Sequence, residues 1–328
     1  MKIASLATLL SFTGIAVAQP AQPSPPVAPP SAAPPLPLSP TEVPQSAAAP
    51  SPTAAPSPTA APSAAIIEAS AVAPKDPVRL PGFTVIDNFD ASSRGGISLS
   101  YIQPSDDFGD VTLLRVSAHA RYVDPSSGFG GYARIPFALA SGDANSITQV
   151  GNLELGAIVA KPLGPHAGLV AHAGITLPTG EKGNEAALGI LASTVALPEL
   201  YNALPQGITG KLGLSPTFRG EHAFGRVDLG LDWNFDAERA SIGKGLHFNA
   251  GLGFELDRTV LTVELQNLVI LDEDDSSFDS TFALNSIALA LRQDLGAVQP
   301  YLAVVVPLDE DSADVSDFAL TFGLDFHL

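Results

Sequence analysis

The sequence predicts an all-β fold, an antiparallel barrel of about twelve strands that crosses a membrane, with fourteen strands as the alternative count. Three observations predict it. The last eleven residues, Phe318 to Leu328, place an apolar residue at every second position, with aromatics at Phe318, Phe322 and Phe326. Such alternation makes a strand with one apolar face, and its length matches the roughly 9–11 residues of a tilted membrane strand. Similar period-2 segments recur from about Gly95 onward, while no later uncharged run is long enough for a membrane helix. A membrane protein without such helices must close its sheet, because lipid leaves no partner for an open edge.

In chain order, Lys2, the apolar stretch Ile3–Val17 and Ala16-Val17-Ala18 have the layout of a secretory signal peptide over residues 1–18. Residues 19–78 form a Pro/Ala/Ser-rich arm: between 19 and 65 there are 16 prolines and one charge, Glu42, and Pro50–Ala55 is repeated as Pro56–Ala61. Such a segment buries no core and is expected to be disordered with polyproline II bias. Residues 79–328 form the barrel domain, with strands expected at about 95–102, 111–123, 129–140, 150–160, 166–177, 207–219, 227–235, 246–256, 259–270, 280–292, 297–308 and 315–328.

Connection lengths support this count. Tight turns near 220–222, 257–258 and 293–296 alternate with longer loops at 236–244, 271–279 and 309–314, as short periplasmic turns alternate with long external loops in such barrels. The alternation requires 178–206 to be one external loop carrying a short helix or folded segment, although Ala186–Ala203 is apolar enough for a strand. Acidic clusters at Asp106-Asp107, Asp272–Asp275 and Asp309–Asp311 then fall on the external side, where like charge keeps loops solvated. The expected location is the outer membrane of a Gram-negative bacterium, with both termini periplasmic.

Composition excludes several functions. The chain has no Cys, so it has neither disulfides nor thiolate metal sites, and its net charge of −18 argues against nucleic-acid binding. No phosphate loop, zinc-binding His pair or nucleophile elbow occurs, so neither an enzyme nor a cofactor is expected. Sorting strand residues by face directs Arg115, Arg121 and Arg134 inward on one side of the lumen and Asp228, Asp232, Glu255 and Glu264 inward on the other. Opposed basic and acidic walls would order dipolar or charged solutes in a pore; mutual pairing to fill the barrel is the competing arrangement. His119, His166 and His172 also fall on inward faces, and glycine-rich strands such as Gly207–Gly213 are read as giving tight curvature.

The segments Gly151-Asn-Leu-Glu-Leu-Gly156 and His172-Ala-Gly-Ile-Thr-Leu-Pro-Thr-Gly-Glu181 resemble a family of outer-membrane barrels grouped with meta-pathway phenol-degradation proteins. Asn152 stands where that family more often has Asp. The resemblance implies a transporter for small hydrophobic or aromatic compounds. The expected function is passive passage of small solutes, with a non-conducting barrel anchored to the cell wall through the Pro-rich arm as the alternative. Expected partners are outer-membrane lipid, a small-molecule solute, the barrel-assembly machinery through the C-terminal strand, and the cell wall through the arm.

Overall fold

The computed structural model describes residues 80, 82–86, 89–105, 111–142, 146–180, 186–204, 207–235, 243–271 and 282–328. The proposed signal peptide and the Pro-rich arm, like the acidic clusters at Asp106-Asp107 and Asp272–Asp275, lie outside them. Alternation at period two produces β1 (Arg94–Pro104), β2 (Thr112–Val123), β3 (Phe129–Ser141), β4 (Ser146–Val150), β5 (Leu153–Pro162), β6 (Ala167–Leu177), β7 (Thr209–Arg219) and β8 (Ala223–Asn234). It continues through β9 (Lys244–Leu256), β10 (Thr259–Leu271), β11 (Phe282–Gln293), β12 (Val298–Pro307) and β13 (Ser316–His327). Every neighbour in the sheet is antiparallel, β1 pairs with β13, and the β2–β3 pairing completes the ring.

The ring has twelve staves and one extra strand segment. β4 and β5 lie end to end along the same edge of β3: Arg134 faces Glu154, but Phe137 faces Val150, so Gly151-Asn152 holds one residue too many for the ladder. This is a β-bulge, which bends the strand and re-aims its side chains. Ala186–Ser193 forms helix α1 and Leu197–Ala203 a 3₁₀ turn. Both lie in the connection expected to carry a folded segment. Leucine and alanine favour the helix, and Pro198 at the head of the 3₁₀ turn starts a new element instead of continuing the old one.

The ends of the barrel differ. At the turn end, Asp257 adopts a left-handed φ of 55° in the two-residue link from β9 to β10. Asp124, between β2 and β3, accepts from the hydroxyls of Ser126 and Ser127 at 2.8 and 2.6 Å. The Ser127 and Ser126 bonds hold its carboxyl down at about 2. At the loop end, Asp309 caps the single-turn helix α2 (Glu310–Ala313) by accepting from the Ser312 amide at 2.7 Å. Leu328 donates its amide to Ser93 at 3.2 Å, so the start of β1 and the C-terminus share the turn end.

Burial is inverted relative to a water-soluble sandwich. Outward side chains such as Leu229 (48% exposed), Leu252 (53%) and Phe322 (51%) are large and apolar, whereas Arg226, Asp232, Asn249 and Glu264 on inward positions are buried. A continuous apolar exterior marks a surface solvated by something other than water. Exposed aromatics gather near each rim: Tyr122, Phe129 and Phe326 at the turn end, and Trp233 stacked on Phe235 at 5.6 Å near the loop end. Leu252→Arg should therefore lower the fraction of folded barrel seen by heat-modifiability on gels. A charge at mid-bilayer costs about 2–4 kcal/mol.

The inward glycines have a further role beyond curvature. A Cβ on Gly213 would collide with the His172 ring, one on Gly230 with His247, one on Gly253 with Phe224 and one on Gly323 with Tyr301. Each ring lies flat along the wall over a glycine of the adjacent strand. The lumen is therefore lined by rings laid sideways, and the space they leave is filled from both ends.

Candidate functional site

Two segments enter the lumen. The first precedes β1. Gly82, with φ 104°, turns the chain as it leaves Leu80. Thr84, Val85 and Ile86 then lie beside Glu264, part-way along β10, and Phe89 to Ser93 lead back to the turn end. The path follows from the contacts. Leu80, Phe83 and Ile86 pack on Phe224 and Val260, while Val85 reaches a cluster containing Ile102, Leu113 and Ala138 further along the barrel. Phe89 lies on the returning limb against Val123, Tyr132, Ile158 and Val170. Burying a Phe contributes roughly 1.5–3 kcal/mol, so Phe83 and Phe89 anchor this entry segment strongly.

The second segment enters from the loop end. Leu191, Ala192 and Val195 join the same cluster as Val85, and Leu197, Leu200, Tyr201 and Leu204 pack on Leu268 and Leu284. The two inserted segments therefore meet inside the barrel. Gln266 secures the loop segment by accepting from the Leu197 amide at 2.8 Å, and Lys211 donates to Pro198 O at 2.8 Å.

The bulge at Gly151-Asn152 fastens the base of this loop. Asn152 donates to Leu204 O at 2.6 Å, accepts from the Gly180 amide at 2.9 Å, and its backbone donates to Asn202 O at 2.7 Å. Thr179 accepts from the Leu153 amide at 2.8 Å and donates to Gly151 O at 3.3 Å. The two sequence segments that carry the family resemblance thus interlock. Asn152→Ala should loosen the loop segment without unfolding the barrel. The expected readout is faster amide exchange over 191–204, with protection in β9 and β10 unchanged.

The site residues expected from sequence all line the lumen or its mouth, and each is engaged locally. Arg115 and Arg134 share the carboxylate of Glu199, the lone charge of the loop segment; the Arg134 contact measures 3.4 Å. Arg121 donates to Asp90 of the entry segment at 2.9 Å. On the other side, Asp228 pairs with Arg226, and Asp232 lies 3.9 Å from the His247 ring. Glu255 pairs with Arg219 at 2.8 Å near the turn end, and Glu264 receives the amides of the entry segment. The expected opposition across open water gives way to local pairing, with inserted carboxylates meeting the basic group and wall residues or backbone amides meeting the acidic one. Desolvated charges require partners; the inserted segments supply them to Arg115, Arg121, Arg134 and Glu264, and neighbouring wall residues supply them to Asp228, Asp232 and Glu255.

His119 and His172 face inward, His119 lying 3.4 Å from Asp325. His166 does not: it sits exposed in the turn before β6, 3.0 Å from Arg219 O, because the strand begins one residue later than the alternation suggested. Sequence reading missed Asp90, Glu199, Arg292 and Asp325. Glu199 was legible as the single charge in the otherwise apolar run Ala186–Ala203. Arg292 and Asp325 pair at 2.5 Å across strands that are not adjacent, which periodicity does not encode.

Spaces remain around the inserted segments. A cavity of about 450 Å³ opens at the turn end, bordered by Leu80, Arg94, Arg219, Glu255 and His327. Another of about 50 Å³ lies where the two segments approach each other, bordered by Phe83, Phe89, Ser117, Arg134 and Glu199. Among the described residues no group of His, Cys, Asp and Glu is arranged to hold a metal ion.

No family model and no curated protein matches the chain. Among solved structures it is similar to an outer-membrane channel from Pseudomonas putida F1, with a TM-score of 0.53 and 16% identity over 78% of this chain and 100% of that one. The chain shares that channel's barrel fold. The NanC porin, at 10% identity over 71% of this chain and all of that one, has a TM-score of 0.47. The KdgM porin, at 8% over 71% of this chain and 99% of that one, has a TM-score of 0.44.

Proposed function

We propose that this protein is an outer-membrane channel for small solutes, closed in the present conformation by its two inserted segments. The observation that carries this reading is the Glu199 clamp. One carboxylate of a loop joins two wall arginines directly beside an internal cavity, so a single loop movement would extend that cavity toward the loop end. The barrel fold shared with a Pseudomonas putida channel supports the reading, and the resemblance at Gly151–Glu181 adds hydrophobic or aromatic compounds as the solute class.

Purified protein in a planar bilayer tests it: discrete, infrequent conductance steps are expected. Complete silence, in the parent and in Glu199→Gln alike, would favour a non-conducting anchor, the reading that the filled lumen also supports. The outer-membrane location and periplasmic termini belong to the same proposal. So does recognition of the β13 strand, with its outward Phe322 and Phe326, by the assembly machinery, and contact between the arm and the cell wall. An epitope inserted at Asp311 should be labelled on intact cells and one at Pro125 only after permeabilisation; reversed labelling would overturn the orientation.

A further inference from the structure

The wall holds the entry segment by its backbone as well as by its side chains, among which Asp90 meets Arg121 at 2.9 Å and Arg94 at 3.6 Å. Four wall arginines each donate to a different carbonyl: Arg94 to Leu80 O at 2.5 Å, Arg292 to Phe83 O at 3.2 Å, Arg226 to Phe89 O at 2.5 Å and Arg121 to Ser92 O at 2.9 Å. Glu264 performs the converse task. Its carboxylate accepts from the successive amides of Thr84, Val85 and Ile86 at 2.8, 2.8 and 3.2 Å, and Thr262 adds a hydroxyl at 2.7 Å. Consecutive amides converging on one anion form a nest, here closed around a carboxylate supplied by the barrel. Charge-assisted bonds to main-chain atoms read no side chain, yet they favour a polypeptide over any other ligand.

Two aromatic sockets receive the phenylalanines of this segment. Phe83 packs over Gly251 and against Phe224 at a ring distance of 5.3 Å. Phe89 sits 4.4 Å from Tyr132 and 4.1 Å from His172, with the Arg134 guanidinium 5.5 Å from its ring. We propose that the lumen at the turn end is a polypeptide-binding site for a peptide bearing two aromatic residues six positions apart, occupied in cis by the protein's own residues 80, 82–86 and 89–93. The site deepens the channel reading, because exchange or withdrawal of that segment is then the step that frees this half of the lumen. The 450 Å³ cavity beside Leu80 and Arg94 gives a peptide its way in.

The test uses the full chain carrying Phe83→Ala and Phe89→Ala, which weakens the cis segment without altering any wall residue. A fluorescent peptide with the sequence Leu80–Ser93 should bind this variant saturably in nanodiscs and bind the parent at least tenfold more weakly, since the parent site is filled. A peptide with both phenylalanines changed to alanine should fail to bind. Adding Glu264→Gln to the double variant should weaken the intact peptide roughly tenfold, the scale of a lost charge-assisted bond. Thr84→Pro, which removes one donor to Glu264 and touches no strand, is the second route to an emptied site if the double variant does not fold. Equal binding of the intact and alanine peptides, or no saturable binding to a barrel shown intact by gel mobility, overturns the proposal. Conductance separates it from the channel reading. Peptide binding to a barrel that never conducts sustains the site and removes the channel, whereas a conducting variant that ignores the peptide does the reverse.

Discussion

Asp325→Ala should destabilise the barrel by about 3–5 kcal/mol, the cost of leaving a buried ionic partner uncompensated. Both side chains of the Arg292–Asp325 pair are 2% exposed, and they meet at 2.5 Å inside the lumen. The carboxylate also lies 3.4 Å from His119, so its removal leaves two groups seeking partners. Arg292 would keep its contact with the Tyr301 ring at 4.5 Å and its bond to Phe83 O, which offsets only part of the loss. The paired change Arg292→Met with Asp325→Leu should be far less damaging, because replacing both charges removes the desolvation cost together with the attraction. Urea unfolding in detergent, run as a double-mutant cycle, measures the coupling. A single-variant loss below about 1 kcal/mol, the ordinary value of an exposed pair, would show that water reaches this part of the lumen freely.

Glu199→Gln is expected to raise the open probability of the channel by roughly tenfold to a hundredfold. The amide keeps the size of the carboxylate but forfeits the charge that both Arg115 and Arg134 engage, and a hydrogen bond to a charged group contributes about 1.5–3 kcal/mol. Loss of that energy shifts the loop segment toward withdrawal, opposed by its apolar contacts at Leu197 and Leu200. The barrel should still assemble, because the glutamine oxygen remains an acceptor for Arg115 and no strand residue changes, although both arginines lose their counter-charge. An unchanged open probability would move the gate elsewhere in the lumen.

The barrel was legible because period two is written into every stave. Leu246, Phe248, Leu252 and Phe254 face outward and His247, Asn249, Gly251 and Gly253 inward, as their alternation requires. The connection at 178–206 was legible as a loop because a further strand there would have inverted the turn pattern. The split between β4 and β5 was not, since one extra residue at Gly151-Asn152 leaves the apolar alternation nearly intact on either side. The filling of the lumen was also hidden. Inward charges such as Arg121 and Glu264 look alike in a pore and in a plugged barrel, and the difference lies in Asp90 and in three backbone amides, which no side-chain pattern displays. Glycines read as points of curvature proved to be places where a ring lies flat, a relation between neighbouring strands and not along one.

Whether the lumen is a pathway shut by movable segments is directly measurable, because the sequence has no native cysteine. Ser117 is 3% exposed, borders the internal cavity and donates to Glu199 at 3.3 Å. In otherwise unaltered protein, Ser117→Cys should react slowly with a charged, membrane-impermeant thiol reagent. Combined with Glu199→Gln it should react at least about tenfold faster, in step with the predicted rise in opening, while gel mobility shows the barrel intact. Equally slow modification in both backgrounds would contradict the account, because it would mean that the inserted segments form a permanent core instead of a gate.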